Sequence, residues 1–478
     1  MLLTLAFRHL MVHRGRALLL LLGYGLGVGV MIVLLSVGEA MLAQSRDVAL
    51  VSGGQVTVLP QGISVEEMRT GGAGGLFFGI ERARFLTRQL LGGERHARLV
   101  RAVSPVVEQK LVYLRKGDVV LPVRAGAEIP SRARTLGAGI HVTAGRWEDH
   151  AADSAWISPS PEQLYHELDR FHLPPVQDST WAEWHYFNVA AGPEEWWYVT
   201  YLVGGAIPTG RWGGQLLVTH RLPGGRYERY QASVPGDSIR LDTTRADLRL
   251  GGNSVTQRDG RYTLQGRAGA LRFALTITPH RNRYFPPVSL REGEYLSGYV
   301  VPALSASAEG EFCVAGRCTP LSGAPAYHDH NWGVWREVTW DWGAAHGRAL
   351  DLLYGAVYAP DDTLPANRTG APRIFVALVD SAGVRQILRA REVRYAGRHP
   401  DSDRAGTEAP ASFTFVAARD ADTVTVTATI LDFQGSRTTS TAATRRFLQM
   451  RGRFTLHGPL GGRAVADSGM GFFETYVE

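Results

Sequence analysis

Lysine is nearly missing from this chain. Of 51 lysines and arginines only Lys110 and Lys116 are lysines, and the arginines are scattered among acids. The formal charge of +6 therefore comes without a basic run that could track phosphates, which excludes nucleic acid as a partner. Cysteine is equally scarce. Cys313 and Cys318 flank Gly316 in a strand–turn–strand pattern and can reach disulfide distance if they face each other across a hairpin. Free thiols are the other reading, and a zinc site would need two more ligands. No Walker motif occurs. The glycine-rich Gly71–Gly75 lacks the strand-to-helix setting of a phosphate cradle and reads as a loop. At 45% apolar and 20% charged residues the chain is globular rather than disordered, and 478 residues imply several domains.

One long apolar run stands out. Ala17–Gly38 carries no charge, and at 1.5 Å per residue it makes about 33 Å of helix, enough to cross a bilayer. Arg8, Arg14 and Arg16 precede it, and no positive excess follows. The expected topology is a cytoplasmic basic segment (1–16), a transmembrane helix (17–38) and an extracytoplasmic remainder. A cleaved signal peptide is the rival reading. Residues 39–150 read as a small α/β domain, with strands at Gln55–Leu59, Gln109–Leu114 and Asp118–Arg124 and a helix near Ile80–Leu91. Residues 151–178 read as a capped helix and linker. Ser160, Pro161 and Gln163 open the helix, Leu164, Leu168 and Phe171 share a face, and Pro174-Pro175 stop it. Beyond Trp181, helical periodicity gives way to short β-branched and aromatic runs punctuated by Gly, Pro and Asp. About 300 residues of this pattern exceed one eight-stranded barrel, so two are expected, at 179–335 and 336–478.

The densest stretch of chemistry is Tyr327-His-Asp-His-Asn-Trp-Gly-Val-Trp335. Strand alternation sends Tyr327, Asp329 and Asn331 to one face and His328, His330 and Trp332 to the other. Two imidazoles and an indole directed into a barrel are costly unless hydrogen-bonded. Three readings stay open: a polar network that fixes the barrel, a functional site, and a metal site on the His-x-His pair that would need a third ligand. In Trp181-Ala-Glu-Trp-His-Tyr-Phe187, Trp184 and Tyr186 fall on one face and Trp181, Glu183 and His185 on the other; Glu194-Glu-Trp-Trp-Tyr198 follows. Aromatic walls with a few polar groups suit an apolar ligand, and ordinary strand packing is the alternative.

Two resemblances follow from these residues. Leu5-Ala-Phe-Arg-His-Leu10, the Gly/Val-rich span, Ser36-Val-Gly-Glu39, Gly54–Pro60, Val103-Ser-Pro105 and Thr143–Trp147 resemble the first helix and extracytoplasmic core domain of MacB-like (FtsX-type) ABC-transporter permeases, over residues 1–150. This chain lacks that family's three further spans. The resemblance implies a bacterial inner membrane, with permease and ATPase subunits as partners. Glu195-Trp-Trp-Tyr198, Tyr295–Tyr299, the Tyr327–Gly333 motif and Gly469–Glu474 resemble the AttH/carotenoid 1,2-hydratase (hydroxyneurosporene synthase) family over 181–478. That family implies tandem lipocalin-like barrels, an apolar isoprenoid- or lipid-like ligand, no cofactor, and either water addition to a terminal double bond or non-catalytic carriage for an exporter. It places His330, Trp332 and Tyr354 in the site, with Asp329 as a further acid or base. Tyr327, His328, Trp184, Tyr186, Trp197, Tyr299 and Trp335 are the expected ligand-binding side chains. The family's acidic residue just after the tyrosine is Gly355 here.

Overall fold

A computed structural model of the chain describes residues 11–12, 14–46, 56, 58, 80–95, 97–136, 147–153, 169–174, 177–292, 295–335, 338–358, 374–400, 408–439 and 444–477. The chain divides into two compact units, residues 1–83 with 102–153, and 84–101 with 154–478. In the first, Arg14–Arg46 is a single helix, longer at both ends than the apolar run itself. Its Arg14–Ser36 part is long and apolar enough to cross a membrane. Val106–Lys116 and Val119–Glu128 form an antiparallel hairpin. Gly117 occupies its turn at φ +59°, a left-handed conformation that glycine adopts without strain. The helix Ile80–Gly92 matches the amphipathic spacing there, and its residues from Arg84 on belong to the second unit. The strand expected at Gln55–Leu59 falls largely outside the described residues, and the loop at Gly71–Gly75 entirely so.

The second unit is built from β-strands, as their spacing implies. Strands from Trp181–Ala190 to Arg317–Val334 make one twelve-stranded antiparallel sheet. Its middle is the pair of Trp181–Ala190 with Arg317–Val334. The sheet rolls up until its distant parts touch: a Cβ on Gly214 would lie 2.6 Å from Leu250 Cδ2 and 3.0 Å from Ile239 Cδ1. This rolled sheet is the first barrel. Cys313 and Cys318 face each other in register across its Val314–Arg317 hairpin and are disulfide-bonded. The second barrel is closed, with eight strands from Thr339–His346 to Arg463–Val477. Its last strand pairs with its first, setting Glu474 opposite Trp342. Each barrel has its own apolar core. A third cluster joins them, with Tyr186, Tyr198, Tyr299 and Tyr327 from the first barrel packed with Trp342, Leu353 and Phe472 from the second.

One expectation is corrected next to the first barrel. Asp169–Leu173 is not the end of a helix, and residues 154–168 lie outside the described residues. Phe171 is buried in the barrel core and its N–H donates to the Asp242 carbonyl at 3.3 Å. The helix expected from Ser160 to Phe171 otherwise lies outside the described residues.

Candidate functional site

Strand Arg317–Val334 belongs to two environments at once. Its even-numbered side chains, His328, His330 and Trp332, point into the first barrel, where Asp169 and Glu183 meet them. Asp169 is fully buried; its Oδ1 lies 2.7 Å from His330 Nδ1 and its Oδ2 3.0 Å from His328 Nε2. The second nitrogen of His330 is 3.0 Å from Glu183 Oε1. His328 Nδ1 donates to the Tyr186 carbonyl at 3.0 Å. His172 binds Glu183 through its backbone N–H and through Nδ1, and its ring stacks on Trp332 at 3.8 Å.

Charges in this cluster balance through protons. Burial alone would lower the pKa of His330, but its hydrogen bonds and attraction to Asp169 and Glu183 raise it to about 9. Burial likewise works against the Asp169 anion and is outweighed by the surrounding imidazoles, which hold its carboxyl well below the usual range. His185 is pushed far below its ordinary value by burial and by the charge of His330, so it is neutral, with Nε2 donating to the Ala246 carbonyl at 3.0 Å. Asp169, His185 and His330 bring three potential metal-ligand atoms within 4.8 Å of one another. Yet Asp169 Oδ1 and His330 Nδ1 are 2.7 Å apart in a hydrogen bond, so a metal ion there would have to displace the proton they share.

The odd-numbered face of the same strand opens onto a cavity of about 490 Å³ between the barrels. Its walls carry Trp184, Tyr186, Tyr299 and Trp335 from the first barrel and Trp340, Trp342, Phe447 and Tyr476 from the second. Two carboxylates face this apolar space. Asp329 is held by the Tyr327 hydroxyl at 2.8 Å, Trp342 Nε1 at 3.0 Å and Asn331 Nδ2 at 2.7 Å. Burial raises its pKa, and those three donors limit the rise to about 6. Glu474 accepts from Gln449 Nε2 at 3.0 Å and Trp340 Nε1 at 3.1 Å. Burial raises it further, with repulsion from Asp329 adding to the rise, to about 7. Two acids in one cavity with separated pKa values can divide the roles of proton donor and acceptor.

The expected site residues therefore divide between three places. Asp329, Trp184, Tyr186, Tyr299 and Trp335 line the cavity, and Tyr327 touches it through Asp329. His328, His330 and Trp332 are in the first barrel's interior, with Trp197, whose ring lies between His220 at 3.5 Å and Phe312 at 4.1 Å. Tyr354 is in the second barrel's core against Phe413 and Phe415, and the carboxylate near it is Asp341. Asp351, close in sequence, instead pairs with Arg283. Gly355 points the other way, where a Cβ would come within 2.3 Å of Trp342 Cε3. Gly355, Trp342 and Glu474 are register partners in one row across three strands. Sequence reasoning missed Glu474, Trp340, Trp342 and Asp169. The Gly469–Glu474 motif was the one signal that could have pointed to the first.

No protein-family profile matches this chain, and no curated protein matches it. Solved structures similar to it include an AttH protein from Nitrosomonas europaea (16% identity, 62% of this chain and 92% of that one, TM-score 0.44). Kievitone hydratase from Nectria haematococca gives 13% identity over 63% of this chain and 93% of that one, with a TM-score of 0.41. CghA gives 11% identity over 65% and 94%, with a TM-score of 0.44. The likeness is one of chain course.

Proposed function

We propose that the two-barrel unit is an acid–base catalyst that adds water to, or removes it from, a terminal double bond of an apolar, isoprenoid-like substrate held between the barrels. The observation that carries this reading is that Glu474 and Asp329, with pKa values of about 7 and 6, share one indole-lined cavity. In the hydration direction the alkene π electrons take the Glu474 proton, forming a C–H bond and leaving a tertiary cation. Trp184, Trp340 and Trp342 supply aromatic surface next to that cation. Water attacks the cation, Asp329 accepts the released proton and passes it to solvent, and solvent returns one to Glu474, so the net change is one added water. Relative to the sequence-based assignment, Asp329 keeps its role. Where His330 or Asp329 was the expected acid or base, this reading makes Glu474 the proton donor, and it sets Trp342 in the place expected for Trp332.

This reading predicts a bell-shaped pH dependence of kcat/KM. Asp329 must be ionised, so activity falls as pH drops below about 6; Glu474 must be protonated, so it falls as pH rises above about 7. The full chain, incubated with squalene in oxygen-labelled water, should yield a labelled alcohol with a maximum between those limits. A profile flat from about pH 4.5 to about pH 8.5, or an alcohol without label, would remove the assignment.

The helix Arg14–Ser36 is proposed as an inner-membrane anchor with both barrels outside the cytoplasm, on the support of its apolar length and of Arg8, Arg14 and Arg16 before it. A reporter active only outside the cytoplasm, fused after Glu478, should then be active; activity of a cytoplasm-only reporter there would reverse the topology.

A further inference from the structure

Glu474 stands in a row of polar side chains that crosses the second barrel. On strands Asp422–Thr439, Thr444–Leu460 and Arg463–Val477, Gln434 is the register partner of Gln449 and Gln449 that of Glu474, so the three project from one face. Gln434 Nε2 donates to Gln449 Oε1 at 2.5 Å, and Gln449 Nε2 donates to Glu474 Oε1 at 3.0 Å. The other end of the row meets the first barrel. Arg229, on strand Tyr227–Pro235, donates to Gln434 Oε1 from Nε at 3.2 Å and from Nη2 at 2.9 Å. A guanidinium has donors and no acceptor, whatever else it touches. It therefore claims the oxygen of Gln434, which leaves that amide only its N–H groups to offer Gln449, and Gln449 only its own to offer Glu474. The direction of the whole chain is set at its arginine end.

We propose that Arg229, Gln434 and Gln449 are positioning residues for the acid: by holding the amide chain in one direction they present Glu474 with donors only from the barrel wall, so that its proton is offered to the cavity. Gln449 meets Oε1 and the Trp340 indole meets Oε2, and neither N–H group can take a proton. Asp329 and the Tyr186 hydroxyl, which also face Glu474, line the cavity itself. In a chain running the opposite way Gln449 would show its carbonyl, and the Glu474 O–H would be committed to the wall. The acid in the second barrel is thus set by a residue of the first. That the proton goes to a substrate rests on the acid–base reading above; the direction of the chain does not.

Gln434→Glu reverses the chain. Its carboxylate still accepts from Arg229 but has no N–H for Gln449, whose amide turns to donate to it and shows its oxygen to Glu474. Infrared spectroscopy of the full chain in an uncharged maltoside detergent follows the C=O stretch of protonated Glu474, identified by its loss in Glu474→Gln. In Gln434→Glu the band should move to lower frequency as the O–H gains a carbonyl acceptor. The pH at which it disappears should rise from about 7 by roughly one unit. Hydration of squalene should fall on the order of tenfold or more. An unshifted band would overturn the proposal even with a raised midpoint, since the added charge alone produces that rise. Arg229 is exposed, so its variants test the same chain without repacking the barrel. Arg229→Met removes the residue that fixes the direction, and a second, lower-frequency band should appear; Arg229→Lys, again a donor only, should restore the single one. A parent-like spectrum in Arg229→Met would equally overturn the proposal. Bands that shift as expected in a protein that hydrates nothing would remove the acid–base reading and leave the direction of the chain standing.

Discussion

Replacing Glu474 by Gln should lower turnover by about 100-fold or more while leaving affinity for an apolar ligand nearly unchanged, because general acid catalysis contributes on that scale. The amide has the size of the carboxyl and can still accept from Gln449 or Trp340, the two donors that hold Glu474. What it lacks is a proton to give. Stability carries a second signature. The pKa of Glu474 is raised in the folded protein from 4.5 to about 7, so its contribution to stability is complete below pH 4.5 and is lost as pH rises through about 7. The Gln variant has no such loss and should therefore gain stability relative to the parent above pH 7. Single-turnover assays beside denaturation at two pH values separate these effects. A Glu474→Gln variant that still turns over would transfer the proton donor's role elsewhere. One that fails to bind ligand would make Glu474 a structural element of the cavity.

The Asp169→Asn variant should be the most damaging single change to the first barrel, costing about 3–5 kcal/mol, the usual consequence of removing one partner from a buried ion pair. Asn could still accept one hydrogen bond, but it leaves His330 with only Glu183 as counter-charge. The pKa of His330 is raised from 6.5 to about 9, so its stabilising contribution is complete below pH 6.5 and disappears as pH rises through about 9. Asp169 has the opposite sign: its carboxyl is held below its ordinary 3.8, so its contribution is present above that value and is lost in acid. Urea denaturation at pH 6.5 and at pH 9 should show a large destabilisation of the variant at the lower pH and a smaller one at the higher. Equal destabilisation at both would mean that Asp169 and His330 are not an ion pair, and none at all would mean that the cluster does not hold the barrel.

Much of this architecture is visible in the sequence, and the limits have physical causes. Alternation along Tyr327–Trp335 correctly separates Asp329 and Asn331 from His328, His330 and Trp332, because a strand has no other way to project them. Which face meets the ligand is not visible. In a two-barrel unit both faces of the shared strand are buried, and both are rich in aromatic and polar side chains, so composition does not distinguish cavity from core. The deciding residue is Asp169, which lies far away in sequence from the strand it serves. Its carboxylate takes up one nitrogen each of His328 and His330, which ties these imidazoles into the barrel interior. Tyr354 fails for a related reason. Its strand also has two buried faces, and its own parity sends it into the second core while Gly355 faces Trp342. Trp340 and Trp342 went unnoticed because Thr339–His346 is short and adjoins a motif that draws attention first.

Synthesis of the chain makes this arrangement into a sequence of events. The sheet from Trp181 to Val334 can roll up as soon as it has left the ribosome, since domains generally fold as units in order of emergence. The second barrel cannot close at that stage, because its first strand, Thr339–His346, waits for Arg463–Val477. Pairing of Trp342 with Glu474 spans more than a hundred residues, a long-range contact of the kind that forms slowly. Until it forms, Asp329 and the indoles around it face a half-built partner. Closure of the barrel and delivery of the second carboxylate are the same step, so a nascent chain with an intact first barrel has no completed cavity until the last seam is sealed.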